Sequence, residues 1–330
     1  MLIMVICLSL YSSADVLFES DESLQLTLSA PFADIHRDRD KTKRYPARLL
    51  WGESQEMTVE LQVRGNNRLK KSTCRYPPLK VHFKEKVVKG TIFEKQSDLK
   101  LVLACKKKYS KYVRMEYLIY KLFAVLSNNN FKVRWLDLTF IENNKERKSP
   151  GFFIEQKKRM GKRLGLRQVH KNRVQPEDLN LQAAVIVDIF QFMIGNTDYS
   201  NIQAREGADC CHNTKLMQRR TNEQDDYIPI PYDFDNSGII NAQYAVPAAS
   251  IPIKSVTNRK YRGLCVSNPY VPVAIELVQS RKEEILSLFD NDGFLSKRTK
   301  SRAAKYLGKF YAIINSPQRL NSSVIEACRF

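Results

Sequence analysis

Period-two alternation dominates the first third of the chain and limits its fold more than any other feature. Leu24-Gln25-Leu26-Thr27-Leu28, the run 57–63, Leu79-Lys80-Val81-His82-Phe83 and Leu99-Lys100-Leu101-Val102-Leu103 alternate apolar and polar residues, as strands with one buried face do. Gly65-Asn66-Asn67 and Pro77-Pro78 punctuate these runs with turn chemistry. One helix follows over 113–126, with Met115, Leu118, Ile119 and Leu122 on a single face. Strand signals return over 133–141, and past Pro150-Gly151 the apolar Phe152-Phe153-Ile154 leads into Glu155. Pro176-Glu177-Asp178 opens a second helix reaching Met193, and 214–217 with 227–232 read as the arms of a β-hairpin. The remainder is helical in pattern, over 271–289, 296–314 and 322–328. Strands first and helices later make an α+β plan, divided into a strand-rich part at 15–150 and a helical part at 151–330.

Residues 1–14 form a short apolar run ending in small residues, with Ser12 and Ala14 spaced for cleavage of an export signal. No stretch reaches the roughly 18 apolar residues that a spanning helix needs, so a periplasmic or secreted protein is expected. Six cysteines remain once Cys7 is removed with the signal. An even number in an exported chain points to disulfides, and Cys74 with Cys105, each beside an expected strand, is the pair favoured here. A zinc site is disfavoured, because no CxxC pair occurs and Cys210-Cys211-His212 has no partner cluster. The formal charge of +19 favours anionic partners such as nucleotide phosphates or an acidic envelope component. Nucleic acid is disfavoured, since the basic residues are scattered in short clusters without a recognition motif.

The chemistry-bearing residues concentrate in 194–238. Asp198 follows an apolar helix in the loop Gly195-Asn196-Thr197-Asp198, where a carboxylate can project into a cleft. Asp233 ends the apolar run Ile228-Pro229-Ile230-Pro231-Tyr232, and a carboxylate there needs a cationic partner. A tight Asp-Asn-Ser-Gly turn accounts for Asp235, Asn236 and Gly238 without function. His212-Asn213 stands directly before the first hairpin arm, so the hairpin would bring the Asn213 amide and the Asp233 carboxylate to one mouth, as oxygen ligands for Mg2+. Asn201 competes for that role.

Asn196-x-Asp198, His212-Asn213 before a strand, and Ile230-Pro231-Tyr232-Asp233-Phe234-Asp235 with Gly238 resemble the catalytic segment of the CotH spore-coat kinase family, a secreted and atypical branch of the protein-kinase-like fold. The likeness extends upstream to Val63-Arg64-Gly65-Asn66, Leu101-Val102-Leu103, Arg114 with Glu116, and Gly151-Phe152-Phe153-Ile154-Glu155. It implies a two-lobed protein-kinase-like fold, with a strand-rich first lobe and a helix-rich second lobe. By the same resemblance Asp198 orients the acceptor or serves as base, while Asn213 and Asp233, assisted by Asp235, hold Mg2+ or Mn2+. Glu116 would pair with a nucleotide-contacting lysine, Lys80 first and Lys100 second. Arg64 would meet a phosphate and Glu155 would lie by the adenine. The chain departs from the family in the dozen or so residues between Asp198 and Asn213, and it carries no G-x-G-x-x-G phosphate loop.

Two functions follow as expectations. The first is an exported kinase passing phosphate from ATP to a protein hydroxyl. The second is a non-catalytic envelope protein that uses its basic surface to bind an anionic partner. A Ser/His/Asp hydrolase is disfavoured, because no G-x-S-x-G occurs and the four histidines lie in unrelated contexts.

Overall fold

The computed structural model describes residues 16–65, 67–205, 207–221, 224–248 and 251–330; the expected export signal at 1–14 lies outside them. The strands are β1 (Leu24–Ser29), β2 (Tyr45–Trp51), β3 (Gln55–Val63), β4 (Leu79–His82), β5 (Asp98–Leu103), β6 (Val133–Glu142), β7 (Lys145–Ile154), β8 (Leu166–Gln168), β9 (Thr214–Arg219) and β10 (Ile228–Pro231). The helices are α1 (Phe32–Asp38), α2 (Glu85–Val88), α3 (Ser110–Leu126), α4 (Lys157–Arg163), α5 (Leu181–Ile194), α6 (Val271–Ser280), α7 (Lys282–Asp290), α8 (Lys297–Ile314) and α9 (Pro317–Leu320).

The first seven strands close into a barrel in the order β1-β2-β3-β4-β5-β7-β6. All neighbours run antiparallel except β1 and β6, whose parallel register, Leu24 against Leu136 through Ser29 against Ile141, shuts the barrel. Alternation does the rest: Leu26, Leu28, Leu49, Val59, Leu61, Val81, Leu99, Leu101, Leu138 and Phe153 all point into one apolar interior. This corrects the expected two-lobed protein-kinase-like fold. Residues 24–154 make a closed seven-stranded barrel with helices around it; the α+β mixture stands, but the lobed plan does not.

The physical reason lies in the outer wall of the barrel. Val102, Val133, Trp135, Phe152 and Ile154 share one continuous core with α3, α5, α6, α8 and β10. Helix α3 is buried nearly all round, with Tyr112, Met115, Glu116, Ile119 and Leu122 among its buried residues, because it lies between β7 on one side and α5 and α7 on the other. The boundary expected at 150/151 therefore falls inside β7, and the core runs across it.

Some elements differ in extent from the sequence reading. Helix α5 begins at Leu181, where the Asn180 side chain accepts from the Ala183 N–H, and 176–178 form a separate 3₁₀ turn. The helix expected over 271–289 is two helices that meet at Arg281. The expected hairpin is present, β9 against β10 with Thr214 opposite Pro231, and β8 adds a third strand beside β9. Cys74 is joined to Cys105 and Cys265 to Cys328, while Cys210 is joined to its neighbour Cys211 just before His212. Among the described residues no helix is long and apolar enough to cross a membrane.

Candidate functional site

Two loops carry the acidic residues, and two glycines stitch those loops together. Gly195 ends α5 in the left-handed conformation, φ 66°, which a residue without a Cβ adopts at no steric cost. Its carbonyl accepts from the Gly238 N–H at 3.0 Å, and the Ile239 N–H reaches Ile194 O at 3.0 Å. A Cβ at Gly195 would come within 1.9 Å of the Tyr306 hydroxyl, and one at Gly238 within 2.4 Å of Val256 O. The loop after α5 and the turn after β10 are thereby held side by side.

Asp198 sits where they meet. Its Oδ1 accepts from His212 Nε2 at 2.6 Å, and its Oδ2 accepts from Asn236 Nδ2 at 3.0 Å and Asn213 Nδ2 at 3.2 Å. Asn213 also donates to the Asp198 carbonyl at 2.7 Å, and Arg205 lies 3.8 Å from Oδ1. Burial works against the Asp198 charge, but the hydrogen bond and charge of His212, then Asn236 and Arg205, outweigh it and hold the carboxyl below its ordinary range. Asn196 fixes the loop from inside, accepting from the Asp198 N–H at 3.0 Å and donating to Gln191 Oε1 at 3.0 Å.

A cavity of about 320 Å³ opens beside Asp198, and it brings together Arg64, Lys100, Glu116, Asp198, Asn213, Asp233 and Asp235 from the residues expected in the sequence. Five basic side chains (Arg64, Arg68, Lys100, Arg205 and Lys215) face five acidic ones (Glu116, Asp198, Asp209, Asp233 and Asp235) along its lining. Arg64 leaves the end of β3, its Nε donating to Leu79 O at 3.2 Å. Asp233 and Asn213 both take left-handed backbone angles, φ 64° and 52°, which asparagine and aspartate tolerate better than other side chains. The Asp233 N–H donates to the Tyr120 hydroxyl of α3 at 3.0 Å, and the Tyr232 N–H to Asn213 O at 3.0 Å. Hairpin and helix thus fix Asp233 between them.

The carboxylates strain against one another. Burial, then the charges of Asp235 and Asp233, push Glu116 well above its ordinary range. Burial and Asp233 raise Asp235 to about 6, although Arg68 stands 3.5 Å away. Lys100 shows the converse effect: burial and the nearby Arg64 lower it to about 7, with its ammonium 4.8 Å from the centre of the Tyr232 ring.

Asp233, Asp235 and the side-chain amide oxygen of Asn213 fit a hard divalent cation such as Mg2+ or Mn2+, which takes oxygen ligands and relieves packed carboxylates. Among the described residues no three His, Cys, Asp or Glu side chains are grouped so as to enclose a metal by themselves. One or two protein carboxylates completed by substrate phosphates is the usual donor set for Mg2+.

The structure leaves the other expected residues outside the cavity. Lys80, directly opposite Lys100 across β4 and β5, turns to Asp98 at 3.8 Å. Glu155 is buried and spent internally, accepting from Arg163 at 2.9 and 2.7 Å and from the Lys132 N–H at 3.0 Å. Asn201 is buried against Asp188 at 2.8 Å and Thr214 at 3.2 Å. No ion pair joins Glu116 to Lys80 or Lys100 among the described residues; Glu116 feels Arg68 and Arg64 instead. Sequence reasoning missed Arg68, Asn236 and the anchoring part of His212. Arg68 follows Arg64 by one helical turn's spacing, a signal that scattered basic residues elsewhere conceal.

No known family model matches the chain, and no curated protein is similar to it.

Proposed function

We propose that this protein is an exported phosphotransferase that moves the terminal phosphoryl group of ATP, bound with Mg2+ or Mn2+, to a hydroxyl of a protein acceptor. The observation that carries the reading is the meeting of Arg64, Arg68 and Lys100 with Asp233, Asp235 and Asp198 around one cavity. Phosphoryl transfer asks for this division: cations for the phosphates, carboxylates for the metal, and a separate carboxylate for the acceptor. It also suits the segments that resemble the CotH spore-coat kinase family, without requiring the fold which that likeness implied.

Arg64 and Lys100 would contact the triphosphate, and Asp233 and Asp235, with the Asn213 side-chain amide oxygen, would hold the cation. The bound cation supplies neutralisation of phosphate charge. Asp198, kept ionised by His212 and Asn236, would accept a hydrogen bond from the acceptor hydroxyl and orient it. The acceptor oxygen bonds the terminal phosphorus while the bond to the bridging oxygen breaks, and ADP leaves with that oxygen. The hydroxyl proton moves late in such a loose transition state, so a weak base like Asp198 suffices. Disulfides at Cys74–Cys105 and Cys265–Cys328 support an oxidising compartment.

A second reading is a non-catalytic binder of anionic partners, favoured by the fact that His212, Asn213 and Asn236 already engage both Asp198 oxygens. One titration separates the two. In a thermal-shift series with ATP and Mg2+, wild type and Asp198→Ala should both be stabilised, Asp233→Ala should not, and only wild type should transfer labelled phosphate to itself or to a casein-like acceptor. Absence of any Mg-dependent ATP shift in wild type would sink the phosphotransfer reading; a shift without turnover supports the binder.

A further inference from the structure

A second cavity, of about 280 Å³, lies away from the acidic residues. It forms because β7 pairs with β5 only over 151–154, so beyond Gly151 the edge of β7 that faces Ala104 and the 3₁₀ turn Lys107–Tyr109 has no strand beside it. Lys107, Arg147 and Lys148 line it together with Tyr76, Ser110 and Ser149. Glu146, exposed to solvent, is the one acidic residue on the lining among the described residues.

Arg147 is held ready for a ligand. Its guanidinium carbon lies 4.0 Å from the centre of the Tyr76 ring and 4.3 Å from that of Phe140. Contacts with two rings restrain the guanidinium fork while leaving its N–H groups to donate. Among the described residues no carboxylate pairs with Arg147, in contrast to Arg114 on Asp292 and Arg163 on Glu155.

The surroundings add further positive charge. Arg39 spends its guanidinium on the carbonyls of His36, Leu69, Cys74 and Arg75, at 2.8–3.0 Å, and among the described residues it meets no carboxylate. Burial and then Arg147, Arg39 and Arg75 push His36 down to about 4, so the ring stays neutral among them. Cations gathered around a concave site with a single exposed acid in reach favour an anion held there.

We infer that this cavity binds a phosphate-type oxyanion, with Arg147 as its bidentate anchor and Lys107 and Lys148 as its flanking charges. An arginine fork held against two rings can match two oxygens of such an anion, and the lysines supply point charges. The site is separate from the phosphotransfer cavity, although Lys100 and Ala104, four residues apart along one chain segment, place the two within about 13 Å along an extended backbone.

The test is calorimetric titration of the full chain with inorganic phosphate, exchanged for chloride at constant ionic strength so that diffuse screening cancels. Saturable binding is expected, weakened about tenfold by Arg147→Gln and similarly by Lys148→Gln, as loss of a charge-assisted contact predicts. Lys148 is exposed, so its substitution leaves folding alone. Lys80→Gln, at a side chain that turns to Asp98 outside both cavities, should leave the binding unchanged. A phosphoserine peptide bound more tightly than inorganic phosphate, with the same sensitivity to Lys148→Gln, would assign the site to a phosphorylated chain; equal affinity would assign it to the free anion. No saturable heat, or heat lost in Lys80→Gln and kept in Lys148→Gln, would overturn the assignment.

Discussion

Lys100→Met should make the protein more stable while it impairs the cavity. Burial and Arg64 bring the Lys100 ammonium from 10.5 to about 7. At about 1.4 kcal/mol per pKa unit, that drop is a penalty of about 5 kcal/mol on the charged form. Lys100 is half-buried and faces an open cavity rather than a sealed core, so solvent screening and the lost cation–π contact with Tyr232 reduce the expected gain to about 2–3 kcal/mol. Methionine matches the length of the lysine stem, so little packing is lost. The pH dependence has a definite sign. Unfolded Lys100 keeps its proton up to 10.5, whereas the folded side chain releases it near 7, so between these values the unfolded state binds more protons and stability rises with pH. The gain from Lys100→Met is therefore full at and below pH 7, falls to less than half by about pH 9, and vanishes above the unfolded value. Urea unfolding under oxidising conditions at pH 6, 7.5 and 9 measures it directly, and near pH 7 the melting temperature should rise by roughly 3–5 °C. Mg-dependent ATP binding should weaken at least about tenfold in the same variant. A variant no more stable than wild type at pH 6, or a gain that stays constant from pH 6 to 9, would refute the placement of a strained ammonium at this site.

Two further substitutions separate scaffold from site. Cys328→Ser opens the bond that ties Cys265 to the C-terminal segment across 63 residues, and loop-closure entropy sets the expected cost at about 4 kcal/mol, readable as a lower urea midpoint with the acidic loops unaltered. Glu155→Gln removes the buried partner of Arg163, so stability should drop by about 3 kcal/mol while the ATP concentration giving half-maximal thermal shift stays put; a changed nucleotide affinity at preserved stability would instead restore Glu155 to the binding site.

Local pattern carried the strands β1, β3, β4 and β5, the helix α3 and the β9–β10 hairpin, because each rests on contacts within its own segment or turn. Strand β2 escaped notice: Pro46 demotes a run that otherwise buries Tyr45, Ala47, Leu49 and Trp51 on alternate positions. Closure of the barrel was harder still. The parallel pairing of β1 with β6 joins Leu26 to Leu138, and no local signal specifies a partner more than a hundred residues away. Without that pairing, a strand-rich first half followed by helices suits a lobed protein as readily as a barrel, and the lobed expectation failed there. The same limit separates Lys100 from Lys80. Both occupy outward positions of neighbouring strands, directly opposite each other, and only the tertiary course of the chain sends one toward Tyr232 and Asp233 and the other toward Asp98. Asp198, Asn213 and Asp233 were legible because each follows a helix or borders a hairpin arm, whereas Asp235 stood in a turn that accounts for it without function and was singled out only by the resemblance.

The charge surplus takes on a different meaning once the site is built. A balance of +19 favoured anionic partners in general, yet the cavity around Asp198 pairs five basic with five acidic side chains and contributes nothing to that surplus. Its electrostatics are those of opposed charges packed together, each shifting the others, which suits a metal-bound polyphosphate that brings both signs. The surplus lies outside it, at places such as the Lys107, Arg147 and Lys148 cavity, where basic groups gather with one exposed acid. Salt should therefore act unequally on the two. Binding at the balanced cavity depends on buried or half-buried pairs that salt screens weakly, whereas anion capture at the basic cavity should weaken steeply as ionic strength rises.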